Sequence, residues 1–177
     1  HGYGGDRFRE YCRSTRAHNT AMFDGIEQSE IWGTFRMARR AKALEADASG
    51  DDQSWSFRGS YERYDGRVIH QRRIQRSESG EWTVVDSADG ATAIASSFIH
   101  LHPSVEVELI DEGKVFCRHG EQRVVIEALA GGDVDVKVIK GWRFDDFGVA
   151  EKTAVVQFEF QVSQGKEFGY RIGNCLM

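Results

Sequence analysis

Apolar and polar positions alternate along most of this chain, in short runs broken by glycine, aspartate and serine. Ala41 to Ala48, Ser54 to Arg63, Arg67 to Arg76, Trp82 to Asp86 and Ala93 to His102 are runs of strand length, alternating or β-branched. Val105 to Ile110, Val115 to His119, Val124 to Leu129, Val134 to Ile139 and Val155 to Val162 continue the theme. Tyr64-Asp65-Gly66, Glu78-Ser79-Gly80, Asp89-Gly90, Asp111-Glu112-Gly113 and Gly131-Gly132-Asp133 supply the turns between them. Met37 to Asp47 is rich in Ala, Arg and Lys, whose intrinsic preference is helical, yet sheet on both flanks makes it a strand. No window after Arg40 keeps apolar residues at helical spacing. About a dozen strands of this kind predict an all-β fold, a large antiparallel β-sandwich of two sheets. No linker, repeat or low-complexity stretch divides residues 1–177, so one sandwich domain is expected.

The first forty residues read differently. Thr20 to Phe23 is a short strand, Asp24-Gly25 offers the positive-φ pair of a tight turn, and Ile26 onward resumes the strand. Just before it, Arg13-Ser14-Thr15-Arg16-Ala17-His18-Asn19-Thr20 packs two guanidiniums, hydroxyls, an imidazole and a carboxamide into one short stretch. Such density marks a site or a junction.

Composition narrows the function classes. The chain has 177 residues, 40% apolar and 29% charged, enough to bury a core without staples. No apolar run approaches the about 20 residues of a membrane helix, so no membrane partner is expected. The net charge of −5 does not favour nucleic acid, and any grip on an acidic ligand must be local. Arg7, Arg9, Arg13, Arg16, Arg36, Arg39 and Arg40 concentrate such a grip in the first quarter. Guanidinium forks suit carboxylates and sulfates; the alternative is that these arginines are solvated or paired with Glu10, Asp24 and Glu30. Cys12, Cys117 and Cys175 cannot all pair, and their spacing is not that of a zinc ribbon.

His18 is the first candidate metal ligand, against the reading of a junction histidine held by hydrogen bonds. His100 and His102 share a strand face and could chelate together, although sheet histidines are usually satisfied by hydrogen bonds. His70 and His119 lie among arginines with nothing to recommend them. Trp32, Trp55, Trp82 and Trp142 suit sugar stacking, but a sandwich core needs large aromatics and packing is the expectation. The chain has no nucleophile elbow, no phosphate-binding glycine loop, and no cysteine beside a base.

The block RSTRAHNT followed by DGIEQSEIWGTFRMARRA strongly resembles the C-terminal region of the heparinase II/III family of polysaccharide lyases. Phe98-Ile99-His100-Leu101-His102-Pro103, Gly141-Trp142 and Phe147-Gly148-Val149 fit the same family, so the resemblance spans nearly the whole chain. It implies a supersandwich-like fold and β-elimination on uronic-acid-containing, hence acidic, polysaccharide. It also implies that His18 completes a metal site, commonly zinc, whose other ligands lie upstream, so this chain alone would leave the site unfilled. Arg13, Arg16 and Asn19 become candidate substrate-binding residues at the junction. The family's catalytic tyrosine and histidine come mainly from an upstream α-helical toroid and the first part of the sandwich, so no catalytic residue is assigned here. The chain opens on His1-Gly2-Tyr3-Gly4-Gly5 without a methionine, which reads as the C-terminal fragment of a larger protein. The upstream helical domain is then a partner, and the face bared around Tyr11 to Asn19 leaves a homodimer open. Were the chain active alone, His18 with Tyr3 or Tyr11 would be the pair to examine. A non-catalytic carbohydrate-binding or interaction sandwich is the alternative of a different class.

Overall fold

In a computed structural model of the protein, residues 7–33, 35–111, 113–129, 134–146 and 149–174 are described, apart from the side chains of Arg7 and Leu109. The alternating sequence becomes fourteen strands among these residues. A helix α1 (Arg7–Arg13) and a 3-10 turn (Thr15–Ala17) precede β1 (Ala21–Phe23), β2 (Ile31–Trp32) and β3 (Arg36–Met37). Then come β4 (Lys42–Gly50), β5 (Trp55–Glu62), β6 (Val68–Arg76), β7 (Trp82–Gly90) and β8 (Ile94–His100). The second half holds β9 (Glu106–Asp111), β10 (Lys114–His119), β11 (Gln122–Ala128), β12 (Val134–Arg143), β13 (Glu151–Gln161) and β14 (Glu167–Asn174).

A four-stranded sheet in the order β1-β8-β13-β12 packs on an eight-stranded sheet in the order β4-β5-β6-β7-β14-β11-β10-β9, and every pairing is antiparallel. β2 and β3 form a separate two-stranded ribbon. Strand periodicity puts Phe23, Phe158 and Phe160 of the smaller sheet opposite Phe168 and Tyr170 of the larger. Phe160 meets Phe168 at 5.1 Å between ring centres, Phe158 meets Tyr170 at 6.1 Å, and Phe23 meets Phe168 at 6.2 Å. Each such ring, withdrawn from water, contributes roughly 1.5–3 kcal/mol, and this shared layer joins the two sheets.

The expected sandwich is present, with local differences. Asp24 (φ 52°) and Gly25 (φ 70°) make the turn after β1, but Ile26 forms only a single bridge to Phe23 and β1 pairs with β8 instead. The Asp24 carboxylate accepts the Ala93 and Ile94 N–H groups at 3.0 and 2.9 Å, tying the turn to β8 rather than to a returning strand. Asp89-Gly90 is no turn; it ends β7 in register with Ile69 and Val68. β14 was not legible, because Gly169 and Gly173 interrupt its pattern. Gly169 is required by close approach, since a Cβ there would collide with the Val84 carbonyl. The stretch Met37 to Asp47 is strand only in part: Met37 ends β3, residues 38–41 belong to no strand, and β4 begins at Lys42. Cys175, Tyr3, Phe147-Gly148, the Gly131-Gly132-Asp133 turn and Glu112 lie outside the described residues; Cys12 and Cys117 are thiols.

One polar cluster sits inside the sandwich. Asp86 of β7 is fully buried, and β6 delivers two partners to it: Arg72 through 2.7 and 2.8 Å bonds and His70 Nε2 at 2.7 Å. Burial alone pushes the Asp86 carboxyl up, but the Arg72 guanidinium and its hydrogen bonds, helped by His70, win and hold it at about 2. His70 thus has a definite role that its arginine-rich surroundings concealed. Because the folded value lies below the ordinary carboxylate range, the stabilisation is complete above about pH 4 and is lost as pH falls towards the folded value. Asp86→Asn is expected to cost about 3–5 kcal/mol at pH 7, since it leaves the Arg72 charge buried without a counter-charge. Urea denaturation reads this directly; a loss below about 1 kcal/mol would mean the cluster is hydrated.

Candidate functional site

The residues singled out around His18 converge at one end of the smaller sheet. α1 and the 3-10 turn carry Tyr11, Arg13, Arg16 and His18 to the rim of β8 and β12, and Asn19 leads into β1. Thr15, buried beneath them, fixes this segment: its hydroxyl accepts the Gln28 N–H at 2.9 Å, and its own N–H donates to the Glu27 carboxylate at 2.5 Å. Gln28 Nε2 donates to Thr20 Oγ1 at 2.9 Å, so the run is stitched to the chain that follows β1.

At the centre is a Tyr-His-Asn trio whose proton positions follow from its partners. Asn19 Oδ1 accepts the His100 backbone N–H at 2.8 Å and the His100 Nδ1–H at 3.0 Å. Nδ1 being the protonated nitrogen, His100 Nε2 carries the lone pair and accepts the Tyr11 hydroxyl proton at 3.0 Å. The Tyr11 oxygen accepts in turn from the Trp142 N–H at 3.4 Å. Gly141 makes room for this, because a Cβ there would collide with Val155 and press on the Tyr11 hydroxyl at 2.9 Å. Burial pushes the Tyr11 phenol above its usual value and the His100 imidazole below its own, with nearby His18 adding to the latter.

His18 itself is exposed. Its Nε2–H donates to the Cys12 carbonyl at 3.0 Å, which leaves the Nδ1 lone pair as its open position. Arg16 reaches over the Tyr11 ring, 5.8 Å from its centre. Arg13 is spent on structure: Nη1 and Nη2 each donate at 2.9 Å to the Gly33 and Arg36 carbonyls of the β2–β3 ribbon. Asn19 is likewise committed, since Arg72 Nη1 donates to its backbone carbonyl at 2.6 Å while its side chain holds His100. The site and the buried cluster are therefore one hydrogen-bonded system.

His100 and His102 do not act as a pair, because both ring nitrogens of His100 are occupied and His102 Nδ1 is hydrogen-bonded to Ser104 at 2.6 Å, beyond the end of β8. Trp142 packs edge-on against Phe8 at 4.8 Å, as a packing residue does, whereas Trp82, 5.9 Å from Trp55, and Trp32 are both exposed rather than in the core. No group of three His, Cys, Asp or Glu side chains able to hold a metal occurs among the described residues. No helix among them is long and apolar enough to cross a membrane.

The family model for the heparinase II/III-like C-terminal domain matches residues 1–171. The chain belongs to that family. A mutant of the heparan sulfate lyase HepC from Pedobacter heparinus superposes with a TM-score of 0.75 at 17% identity, covering 99% of this chain and 28% of that one. HepC itself gives 0.75 at 18%, covering 96% and 26%, and heparinase III gives 0.70 at 15%, covering 96% and 25%. The chain spans about a quarter of the length of these structures, which share its fold. No curated protein sequence matches it.

The trio makes a measurable prediction. His100 should titrate below the ordinary imidazole range as the Nδ1–H tautomer, and stability should fall as pH drops below about 6.5, because the folded state resists the proton that the unfolded chain accepts. Tyr11→Phe should cost about 1–3 kcal/mol by leaving His100 Nε2 and the Trp142 N–H unsatisfied. An imidazole that titrates normally by NMR, with unchanged stability in Tyr11→Phe, would show that the trio is not formed in solution.

Proposed function

We propose that this chain is the C-terminal β-sandwich of a longer polysaccharide lyase that cleaves uronic-acid-containing chains by β-elimination, and that it orients substrate without supplying the catalytic acid or base. The observation that carries this reading is the family match over residues 1–171, with the His18-Asn19 pair at an exposed rim. The relatives named above as heparan sulfate lyases support the substrate class. In such a reaction a base takes the C5 proton beside the carboxylate, the C4–oxygen bond breaks with a proton delivered to the leaving oxygen, and a C4–C5 double bond remains.

The division of labour follows from the hydrogen bonds. The Tyr11 hydroxyl donates to His100 and accepts from Trp142, so neither Tyr11 nor His100 is poised toward a substrate. Arg16 is one guanidinium placed to meet a carboxylate or sulfate, while Arg13 and Asn19 hold the surface that presents it. The described residues do not build a zinc site by themselves. His18, through Nδ1, is proposed as one ligand of a site completed by the upstream part of the longer protein. The second reading, a non-catalytic carbohydrate-binding sandwich, is supported by the commitment of Tyr11 and His100 to each other.

Mixing the chain with heparan sulfate, alginate and chondroitin, and following unsaturated product by ultraviolet absorbance, is expected to give no turnover, whereas the longer protein eliminates. The chain should carry less than one zinc, and the longer protein about one, lost in His18→Ala. Turnover by the chain alone that Tyr11→Phe abolishes would place the acid or base here. A longer protein that binds uronate polymers without eliminating would make the domain a binding module.

A further inference from the structure

Trp32 and Phe35 are 58% and 60% exposed, yet both are held in place. They stand at the tip of the β2–β3 ribbon, where Trp32 faces Arg36 across the two strands and Gly33 turns the chain with φ 61°. Arg13 pins this tip to α1 through its paired bonds to the Gly33 and Arg36 carbonyls. The Arg9 guanidinium lies over the Phe35 ring, 4.6 Å from its centre. Glu30 lies two residues before Trp32. Glu30 is itself clamped by Arg39 at 2.8 and 3.2 Å, and Arg39 lies 4.8 Å from the centre of the Tyr64 ring. The one acid beside the aromatics is therefore neutralised by an arginine that is fixed in turn.

Residues 7–40 contain seven arginines and no lysine against four acidic residues, in a chain of net charge −5. Exposed aromatic planes suit the C–H faces of sugar rings, and guanidinium forks suit the carboxylate or sulfate groups beside those rings.

We infer that the ribbon tip is a polysaccharide subsite in which Trp32 and Phe35 stack on sugar rings while Arg9 and Arg36 pair with the acidic groups of a uronate-bearing chain. The inference rests on the lyase reading for the class of polymer, and adds where that polymer lies. It extends the surface from Arg16, beside the Tyr11 ring, to the ribbon that Arg13 of α1 holds.

The test is calorimetric titration of the chain with a size-defined heparan sulfate hexasaccharide and an alginate oligouronate, with dextran as the neutral control. Acidic oligomers should bind, more weakly as salt is raised, and dextran should not. Trp32→Ala with Phe35→Ala should weaken binding about tenfold or more, and so should Arg36→Ala, with melting temperature unchanged because these side chains are on the surface. Equal affinity in the double variant, no binding of either acidic oligomer, or a dimer in light scattering that the double variant abolishes would each overturn the subsite. The lyase reading fails separately: if the oligomers bind through the ribbon but the longer protein yields no unsaturated product, the subsite stands and the elimination does not. If elimination occurs and the double variant binds normally, the reverse is true.

Discussion

The arrangement depends on one ionised carboxylate kept in a dry place. Asp86 has no access to water, and a bare carboxylate there would take up a proton or unfold the sheet. Arg72 makes the charge tolerable, and its geometry does more than neutralise. A guanidinium is a planar fork, so the two bonds to Asp86 fix its plane and leave Nη1 aimed at the backbone carbonyl of Asn19. A lysine could supply the charge but not that direction. The buried pair is therefore a spacer that sets the height of the His18-Asn19 segment above the larger sheet.

From Asn19 the constraint passes outward through partners that each accept one arrangement. The carboxamide oxygen selects the His100 tautomer, that tautomer selects the Tyr11 proton position, and the Tyr11 oxygen then receives the Trp142 N–H. Each group can satisfy its neighbour in only one way, and this makes the rim stiff. His18 stands outside the closed system with one ring nitrogen committed and one open. A stiff rim carrying one uncommitted imidazole is what a ligand site shared with another part of a longer protein requires, because the missing half then meets a fixed target.

Strand existence was legible because it rests on period-two burial, and β7 and β10 show that period plainly. β14 was hidden because it lies between β7 and β11, where glycine serves close backbone approach and erases the alternation. The hairpin expected after Asp24-Gly25 failed for a different reason: the Asp24 side chain bonds to Ala93 and Ile94, a partner about seventy residues away that no local pattern reveals. His70 was passed over for the same reason, since its meaning lies in the register that sets Arg72 beside Asp86. Spacing alone held a usable hint, because His70 and Arg72 are two apart and must share a strand face. The ribbon β2–β3 and the exposure of Trp32 were not readable, since propensity does not tell which face of a two-stranded ribbon meets solvent.

The charge distribution reconciles an acidic chain with a local attraction for acidic groups. At physiological ionic strength fields decay over about 8 Å, so an approaching polysaccharide senses the nearest patch rather than the net charge of −5. The arginines of α1 and the ribbon offer such a patch. The strands farther on carry mixed ion pairs, such as Arg118 with Glu108 and Lys114 with Glu127, that cancel locally. Attraction confined to one edge selects orientation more than affinity. For an acidic ligand of any length, the balance would favour contact along that edge over contact along the whole sandwich.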